Sequence, residues 1–377
     1  MIHTLEKEHP WMRYPAFYNA YPIRNEVSHS AELSLQPDSP FGNAYCDTYY
    51  GRIFDEESHG FNPKYGLSAK LGFYVGSRSL EVVEEFRVPY RRIPVFKVDS
   101  LASIKSCVAE LVTSNPDYEV LLRGQTKTYL IDRPLQEKLY LYGDEKVREP
   151  SFLPSHLRKN FDVYFLKCMW QSQAAILLND VMFDVGQAVG KSKMDEFGKR
   201  VSSFRSSPLF HLFSLGMAQH YGLPSVGLDL TDRLEVASWF ATHSLTIAAN
   251  GEAKTAAIDF KSGLAPTVFV FRCPRDAVFD YKRSKIEGLP PGRPDHQSAW
   301  FGHVGWGAAS NQLGSYLMCG FRLEPSVLSQ LDPNLSHQLF PIRAKDLILD
   351  FFLKMKNSRK YEGEAKRALQ GIYHVAD

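Results

Sequence analysis

The sequence predicts a protein that combines helices and strands, in an α+β or mixed α/β arrangement. Five apolar residues recur at helical spacing near position 100: Leu101, Ile104, Val108, Leu111 and Val112. The segments YEVLL at 118–122 and TVFVF at 267–271 are short, apolar and rich in strand-forming residues. Long helical patterns lie between these two segments, so both kinds of element occur within one region of the chain.

The chain divides into three parts by composition. Residues 1–95 are rich in Tyr, Pro, Ser, Asn and Gly with weak periodicity, which predicts an irregular or β-rich extension packed onto the next part of the chain. Residues 96–345 carry the strong periodic patterns and are predicted to form the main domain. Residues 346–377 begin with a helical pattern and are predicted to form a C-terminal helix and tail, packed on the domain or following it.

Within the main domain, Asp99 is the predicted N-cap of the first helix, and the strand 118–122 ends in a polar loop. Loops that leave the C-terminal ends of strands often carry ligand-binding groups. Further helices are predicted over 161–183, 194–203 and 209–220, and Thr231 is the predicted N-cap of the next one. A further strand is predicted over 256–260.

Charge and cysteine usage exclude several classes of protein. With 44 basic and 42 acidic residues, the net charge of +2 provides no bulk attraction for nucleic acid or anionic membrane. The five cysteines are far apart, with no Cys-x-x-Cys pair, which disfavours disulfides and structural zinc. The first residues lack the apolar core of a signal peptide, and no apolar run reaches about 20 residues. We therefore expect a cytoplasmic protein without a membrane partner.

The most unusual segment spans residues 216–241. It places five polar side chains between two apolar helical patterns: Gln219, His220, Tyr221, Asp229 and Thr231. Polar groups in such surroundings are costly unless they have hydrogen-bond partners. This segment is therefore the first candidate for a functional site.

Three separated motifs are similar to those of the FRG domain family, named for an aromatic-Arg-Gly motif. They are LRGQ at 122–125, AQHYGLPS at 218–225 followed by LDLT at 228–231, and QLGSY at 312–316. The resemblance extends from about residue 101 to 340, and Pro154, Ser155 and Arg158 resemble a further element of the family. The chain departs from the family pattern at Leu122, where an aromatic residue is usual, and at Val226 and Leu230, where an arginine and a tryptophan are usual.

The FRG resemblance implies an α/β domain of bacterial and phage-related proteins, often in conflict or defence systems. The order of the motifs is also distantly similar to ADP-ribosyltransferase folds, which implies a split β core with a helical insertion. In those enzymes a strand-end arginine contacts NAD, a hydroxyl residue before a helix supports the nicotinamide pocket, and a third motif supplies a glutamate. By order, the matching positions are Arg123, Thr231 and Gln312.

The side chains themselves allow functional and structural interpretations. Arg123 offers a planar fork suited to a diphosphate, or it forms a structural ion pair with an acid such as Asp229, while Gly124 lets the backbone approach a ligand. His220 is a candidate acid, base or donor, or a cap at a helix C-terminus. Gln219 is a candidate to orient a ligand through hydrogen bonds. Tyr221 is expected either to stack on a base or nicotinamide ring or to pack in the core.

Asp229 and Thr231 are expected either to initiate the helix that follows them or to frame an anion site at the N-terminus of that helix. Gln312 is able to hold a ribose hydroxyl but supplies no negative charge for an oxocarbenium-like ribose, so Asp229 and Glu235 are alternative acids. His296 and His303 lie in an aromatic, Gly-rich loop with no standard metal spacing, so we expect no metal and favour a flexible lid that closes a pocket or recognises an acceptor.

Taken together, the motifs predict catalysis by Arg123, His220 and Gln312, and nucleotide binding by Arg123, Gly124, Gln219, Tyr221, Asp229 and Thr231. NAD is the expected substrate of an ADP-ribosyltransferase or NAD glycohydrolase, with a protein or nucleic-acid acceptor that the sequence does not identify. The alternative is a non-catalytic module that senses a nucleotide or a protein in a bacterial or phage defence system.

Overall fold

The computed structural model describes residues 45–50, 52–54, 80–88, 91–142, 144–302 and 309–375. Its strands form one large sheet, a small hairpin and a three-stranded sheet. The strands are β1 (Tyr45–Asp47), β2 (Arg52–Phe54), β3 (Val82–Val88), β4 (Arg91–Val98), β5 (Tyr118–Gln125), β6 (Leu228–Thr231), β7 (His243–Ile247), β8 (Glu252–Ala257), β9 (Thr267–Pro274), β10 (Val278–Asp280), β11 (Ala299–Gly302), β12 (Leu317–Leu323) and β13 (His374–Val375).

The large sheet has eight strands in the order β10-β11-β6-β5-β9-β12-β4-β3. All neighbours are antiparallel except β12 and β4, so the sheet is mixed. The second sheet has the order β13-β8-β7 and receives its edge strand from the C-terminal end of the described chain. The protein is therefore of mixed α/β class, as the sequence predicts.

The described residues also form α-helices. They are α1 (Leu101–Ser114), α2 (Leu135–Tyr142), α3 (Ser155–Lys159), α4 (Val163–Val189), α5 (Lys191–Arg205), α6 (Pro208–His220), α7 (Leu234–Thr242), α8 (Tyr281–Ser284), α9 (Arg293–His296), α10 (Leu335–Leu339), α11 (Leu347–Lys356) and α12 (Gly363–Leu369). Short 3₁₀ helices span Gln312–Tyr316, Pro325–Gln330 and Arg343–Lys345.

Among the apolar clusters of the described residues, two join helices to the sheet and to one another. On one face, Ile104 and Leu111 of α1 and Ala237 of α7 pack with Val268 and Phe321 of the sheet. The second core is mainly helical and joins α4, α6 and α11, as through Trp170, Phe213 and Phe352, all of which are fully buried. Burial of this much apolar surface is the dominant stabilising contribution to such a fold.

Helices α2 to α6 all lie in sequence between β5 and β6, which are neighbours in the sheet. This arrangement brings the end of α6 and the loop after it back to the strand that carries Arg123. The helices predicted over 161–183, 194–203 and 209–220 correspond to α4, α5 and α6.

Two predicted helix caps differ from the structure. The N-cap of α1 is Ser100, whose hydroxyl accepts from the amide of Ala102, whereas the carbonyl of Asp99 accepts from Gln330. The N-cap of α7 is Arg233 and not Thr231. A third difference concerns the strand expected at 256–260, because β8 occupies 252–257.

Parts of both predicted flanking segments contribute to the folded region. Strands β3 and β4 belong to the large sheet, although the predicted extension ended at residue 95. Asp47, the last residue of β1, is buried and lies 3.0 Å from the guanidinium of the equally buried Arg133, which also bonds to Glu149. The remainder of residues 1–79 lies outside the described ranges.

Within the described ranges, no helix is both long and apolar enough to cross a membrane.

Candidate functional site

A cavity of about 340 Å³ opens beside the junction of β5 and β6. Its wall is formed by β5, α3, the end of α6, β6, α7 and the C-terminal residues Gly371 and Tyr373. Ligand cavities usually measure about 300–1,000 Å³, so this one has the size of a small-molecule site. Six of the eight predicted site residues line it: Arg123, Gly124, Gln219, His220, Asp229 and Thr231.

The cavity exists because two neighbouring strands diverge. Strands β5 and β6 are paired only at Leu122 and Thr231, whereas β5 pairs with β9 along its whole length. Arg123 spans the resulting gap and donates from a terminal nitrogen to the main-chain carbonyl of Asp229, at 2.5 Å. Its Nε has no hydrogen-bond partner among the described residues. Arg123 therefore stabilises the divergence of the strands and retains a free donor.

Several polar side chains of the cavity lie around the carboxylate of Asp229. Nδ1 of His220 lies 3.0 Å from Oδ1 of Asp229, although the two groups are not aligned as a hydrogen bond. Nε2 of Gln219 donates to Oδ2 of Asp229 at 3.2 Å. The hydroxyl of Ser155 lies 3.4 Å from Oε1 of Gln219, which links α3 to the same group of residues. His220 is thus more than a helix cap, because its ring contacts an acid of a neighbouring strand.

The surroundings of Asp229 keep it ionised. Burial raises the pKa of this carboxyl, but the charge of His220, the charge of Arg123 and the amide of Gln219 outweigh burial and lower the pKa to about 2. The side chain is 40% exposed and lines the cavity. The site therefore presents a negative charge to a bound molecule at neutral pH.

Gly124 serves packing as well as access. A Cβ at this position would lie 1.8 Å from the carbonyl oxygen of Ala237 and 2.7 Å from the amide nitrogen of Ala241. No side chain fits there, because α7 lies directly on β5. Gly124 therefore permits the close approach of α7 to β5, and α7 forms one wall of the cavity.

Thr231 and Gly222 shape the backbone around the site. The hydroxyl of Thr231 donates to the carbonyl of Gln297 and accepts from the amide of Arg233, which turns the chain into α7. Gly222 has a φ of 86°, and a Cβ there would lie 2.4 Å from the carbonyl of Gly371. This contact places the C-terminal segment in the wall of the cavity.

Tyr221 lies outside the cavity wall. It is completely buried, and its hydroxyl donates to the carboxylate of Asp346 at 2.7 Å. The same carboxylate caps α11 by accepting from the amide of Leu349. Arg293 stacks over the Tyr221 ring and donates to the carbonyls of His220 and Tyr373. This geometry favours the core-packing interpretation of Tyr221 over stacking on a ligand.

Gln312 is also placed away from the cavity. It lies in the 3₁₀ helix before β12, is buried, and donates from Nε2 to the hydroxyl of Tyr316 at 2.7 Å. It does not line the cavity that contains Arg123 and His220. Of the two alternative acids, Asp229 lies in the cavity, whereas Glu235 is exposed on α7 and does not line it.

The loop with the two histidines is only partly described. His296 ends α9, whereas His303 and the tryptophan at 306 lie outside the described residues. Among residues with described positions, no group of three or more His, Cys, Asp and Glu side chains is arranged to hold a metal ion.

Several cavity residues were not among the predicted site residues. Arg158 and Lys159 end α3, and Phe240, Ile247 and Tyr373 contribute apolar and aromatic surface. Adjacent basic residues after a Pro-Ser pair were a visible signal for the first two. Tyr373 had no local signal, because contacts between the C-terminal segment and residues distant in sequence, such as Gly222 and Arg293, bring it to the site.

Comparison of the chain with protein-family models, with curated proteins and with solved structures gives no match.

Proposed function

We propose that the cavity binds NAD or a closely related nucleotide and that the protein cleaves it or transfers its ADP-ribose group. The observation that carries this proposal is the ionised carboxylate of Asp229 in the same cavity as Arg123 and His220. The FRG-like motifs and their order, similar to that of ADP-ribosyltransferases, support it. In this proposal Asp229 takes the role that motif order alone assigned to Gln312.

The chemistry requires stabilisation of a positive charge on the ribose. When the bond between C1′ and the nicotinamide nitrogen breaks, its electron pair leaves with nicotinamide, which departs neutral, and the ribose becomes oxocarbenium-like. A nearby carboxylate lowers the energy of such a transition state. Water or an acceptor then bonds to C1′ and loses a proton, for which the imidazole of His220 is the general base.

The protein provides this charge with little reorganisation. Asp229 is held by the amide of Gln219 and faced by His220, while Arg123 fixes its main chain. Groups that are already oriented before binding stabilise a transition state most effectively. The apolar side of the cavity, with Phe240 and Val236, suits a planar ring.

Purified protein incubated with NAD labelled in the nicotinamide ring tests the proposal through release of free nicotinamide. We expect release by the wild type and a decrease of about 10²–10³-fold in Asp229→Asn, the range for removal of one stabilising group. Glu235→Gln is the matched control, because this exposed acid of α7 directly precedes the cavity-lining Val236 in sequence but does not itself line the cavity. It should keep a rate within about twofold of wild type, well below the effect of a lost catalytic group.

A second candidate is a non-catalytic nucleotide- or protein-sensing module of a bacterial or phage defence system. It is favoured by the existing contacts of Asp229 and Arg123, since both are engaged within the protein. Calorimetry with NAD distinguishes the two. Heat of binding without nicotinamide release, even with cell lysate as a source of acceptor, supports the sensor, and absence of both signals contradicts nucleotide binding altogether.

A further inference from the structure

The cavity contains two cationic side chains for which the proposed cleavage chemistry has no role. Arg158 and Lys159 lie at the C-terminal end of α3 and line the cavity together with Arg123. Nε of Arg158 donates to the carbonyl of Leu153 at 3.1 Å. Within the described part of the chain, neither Arg158 nor Lys159 forms an ion pair with a carboxylate.

These cations are held close to one another. Burial lowers the pKa of Arg123, the charge of Asp229 raises it, and the charge of Arg158 lowers it. Burial also lowers the pKa of Lys159, again with a contribution from Arg158. Like charges held together without a counter-charge are unfavourable, and a bound anion relieves that repulsion.

The one acid among the described residues that line the cavity balances only part of this positive charge. Asp229 is the carboxylate among the cavity-lining residues, and it already faces His220 and accepts from Gln219. Three permanently or normally protonated side chains therefore surround a single engaged acid. The excess positive charge lies on the side of the cavity formed by β5 and α3.

The helix that carries the two cations is rigidly attached. Ser155 and His156 are buried, and both bond to Ser225: the amide of Ser225 donates to the Ser155 hydroxyl at 2.9 Å, and the His156 ring contacts the Ser225 carbonyl at 3.1 Å. Asn160 ends the helix in a left-handed conformation. The backbone that carries the exposed side chains of Arg158 and Lys159 is thus anchored by buried contacts in the preceding turn, which favours a preorganised binding group.

We infer that Arg158 and Lys159, together with Arg123, form a phosphate subsite, and that the ligand is a nucleotide whose phosphate group lies against α3. Arginine provides a planar fork for phosphate oxygens and lysine a compact point charge. The base or pyridine ring then faces the apolar wall of Val236, Phe240 and Ile247. This assignment rests on the proposed nucleotide binding. It specifies that the protein recognises the phosphate group of the ligand.

Isothermal titration calorimetry tests the subsite with three probes: NAD, nicotinamide riboside, which lacks phosphate, and inorganic pyrophosphate. The test variant is Arg158→Gln/Lys159→Gln. The control is Lys193→Gln/Lys199→Gln, which also removes two positive charges, but from exposed positions on α5. We expect the test variant to bind NAD and pyrophosphate about tenfold or more weakly, since hydrogen bonds to charged groups are strong, while the control matches wild type.

The outcomes separate the subsite from the proposed function. If NAD binds the test variant within about twofold of wild type, or if the riboside binds as tightly as NAD, the subsite is wrong and nucleotide binding stands. If the wild type binds pyrophosphate in a manner that requires Arg158 and Lys159 but does not bind NAD, the subsite stands and the proposed function is wrong. Binding of none of the probes contradicts both. If both double variants keep the melting temperature of wild type, a loss of binding is not caused by a loss of folding.

Discussion

Nδ1 of His220 and Oδ1 of Asp229 are 3.0 Å apart, which joins the last residue of α6 to the middle of β6. The contact links a helix terminus to a sheet strand in the wall of the cavity. It also explains why two polar residues are tolerated in an otherwise apolar part of the chain, because each side chain has the other as a polar neighbour. The pair is the structural basis of several expected outcomes.

Stability is expected to depend on pH through Asp229. The pKa of this carboxyl is lowered from 3.8 to about 2 in the folded protein. A group with a depressed folded pKa contributes stability that is complete above its unfolded pKa and is lost as the pH falls through the folded pKa. The free energy of unfolding should therefore fall more steeply in wild type than in Asp229→Asn as the pH decreases from 3.8 to about 2.

Urea unfolding at several pH values in this window measures the difference. Asp195→Asn, which removes an exposed carboxylate of α5, controls for the general change in net charge. Parallel pH profiles for wild type and Asp229→Asn would contradict the contact between Asp229 and its positively charged neighbours.

Gly124→Ala should destabilise the protein. The added methyl group would overlap the Ala237 carbonyl at 1.8 Å, so α7 has to move away from β5. Overpacking of this kind costs about 1–3 kcal/mol. Gly216→Ala is the control, since its Cβ meets ordinary contacts at 3.5 Å, and alanine in a helix is favoured by about 0.5–1 kcal/mol. Denaturant unfolding of both variants checks the prediction, and equal stabilities would contradict the close packing of α7.

Tyr221→Phe should lower stability without changing nucleotide affinity. The variant loses the hydrogen bond to the buried carboxylate of Asp346, and a bond to a charged group contributes about 1.5–3 kcal/mol. Tyr164→Phe removes an exposed phenol for comparison. Unfolding free energies and calorimetric NAD affinities distinguish the roles, because a clear loss of affinity at unchanged stability would make Tyr221 a ligand contact.

Gln312 substitutions should leave nicotinamide release within about twofold of wild type, below the effect of a lost transition-state contact. Gln312→Ala removes one hydrogen bond to Tyr316, which corresponds to about 0.5–1.5 kcal/mol of stability. Gln312→Glu introduces the carboxylate that ADP-ribosyltransferases carry in their third motif. A large increase in nicotinamide release by Gln312→Glu would place this residue in the site and contradict its assignment to the core.

The sequence alone was sufficient for the regular elements with strong local patterns. Helix α1 and strands β5 and β9 occur where apolar spacing and strand-forming residues predicted them. The polar segment with Gln219, His220 and Asp229 was also visible, because buried polar groups next to apolar helices are uncommon. Such features depend on residues close in sequence, and so they can be predicted without a fold.

Tertiary structure decided which of these residues meet. Arg123 and Asp229 are 106 positions apart in sequence and are joined only because β5 and β6 are neighbours that pair at a single point. Contacts between distant segments also place Gln312 and Tyr221 in the core and make Gly124 a packing position. Such contacts bring Arg158, Lys159 and Tyr373 to the cavity. Local sequence determines the elements, whereas strand pairing and close packing between distant segments determine the composition of the site, because those contacts form only when the whole chain folds.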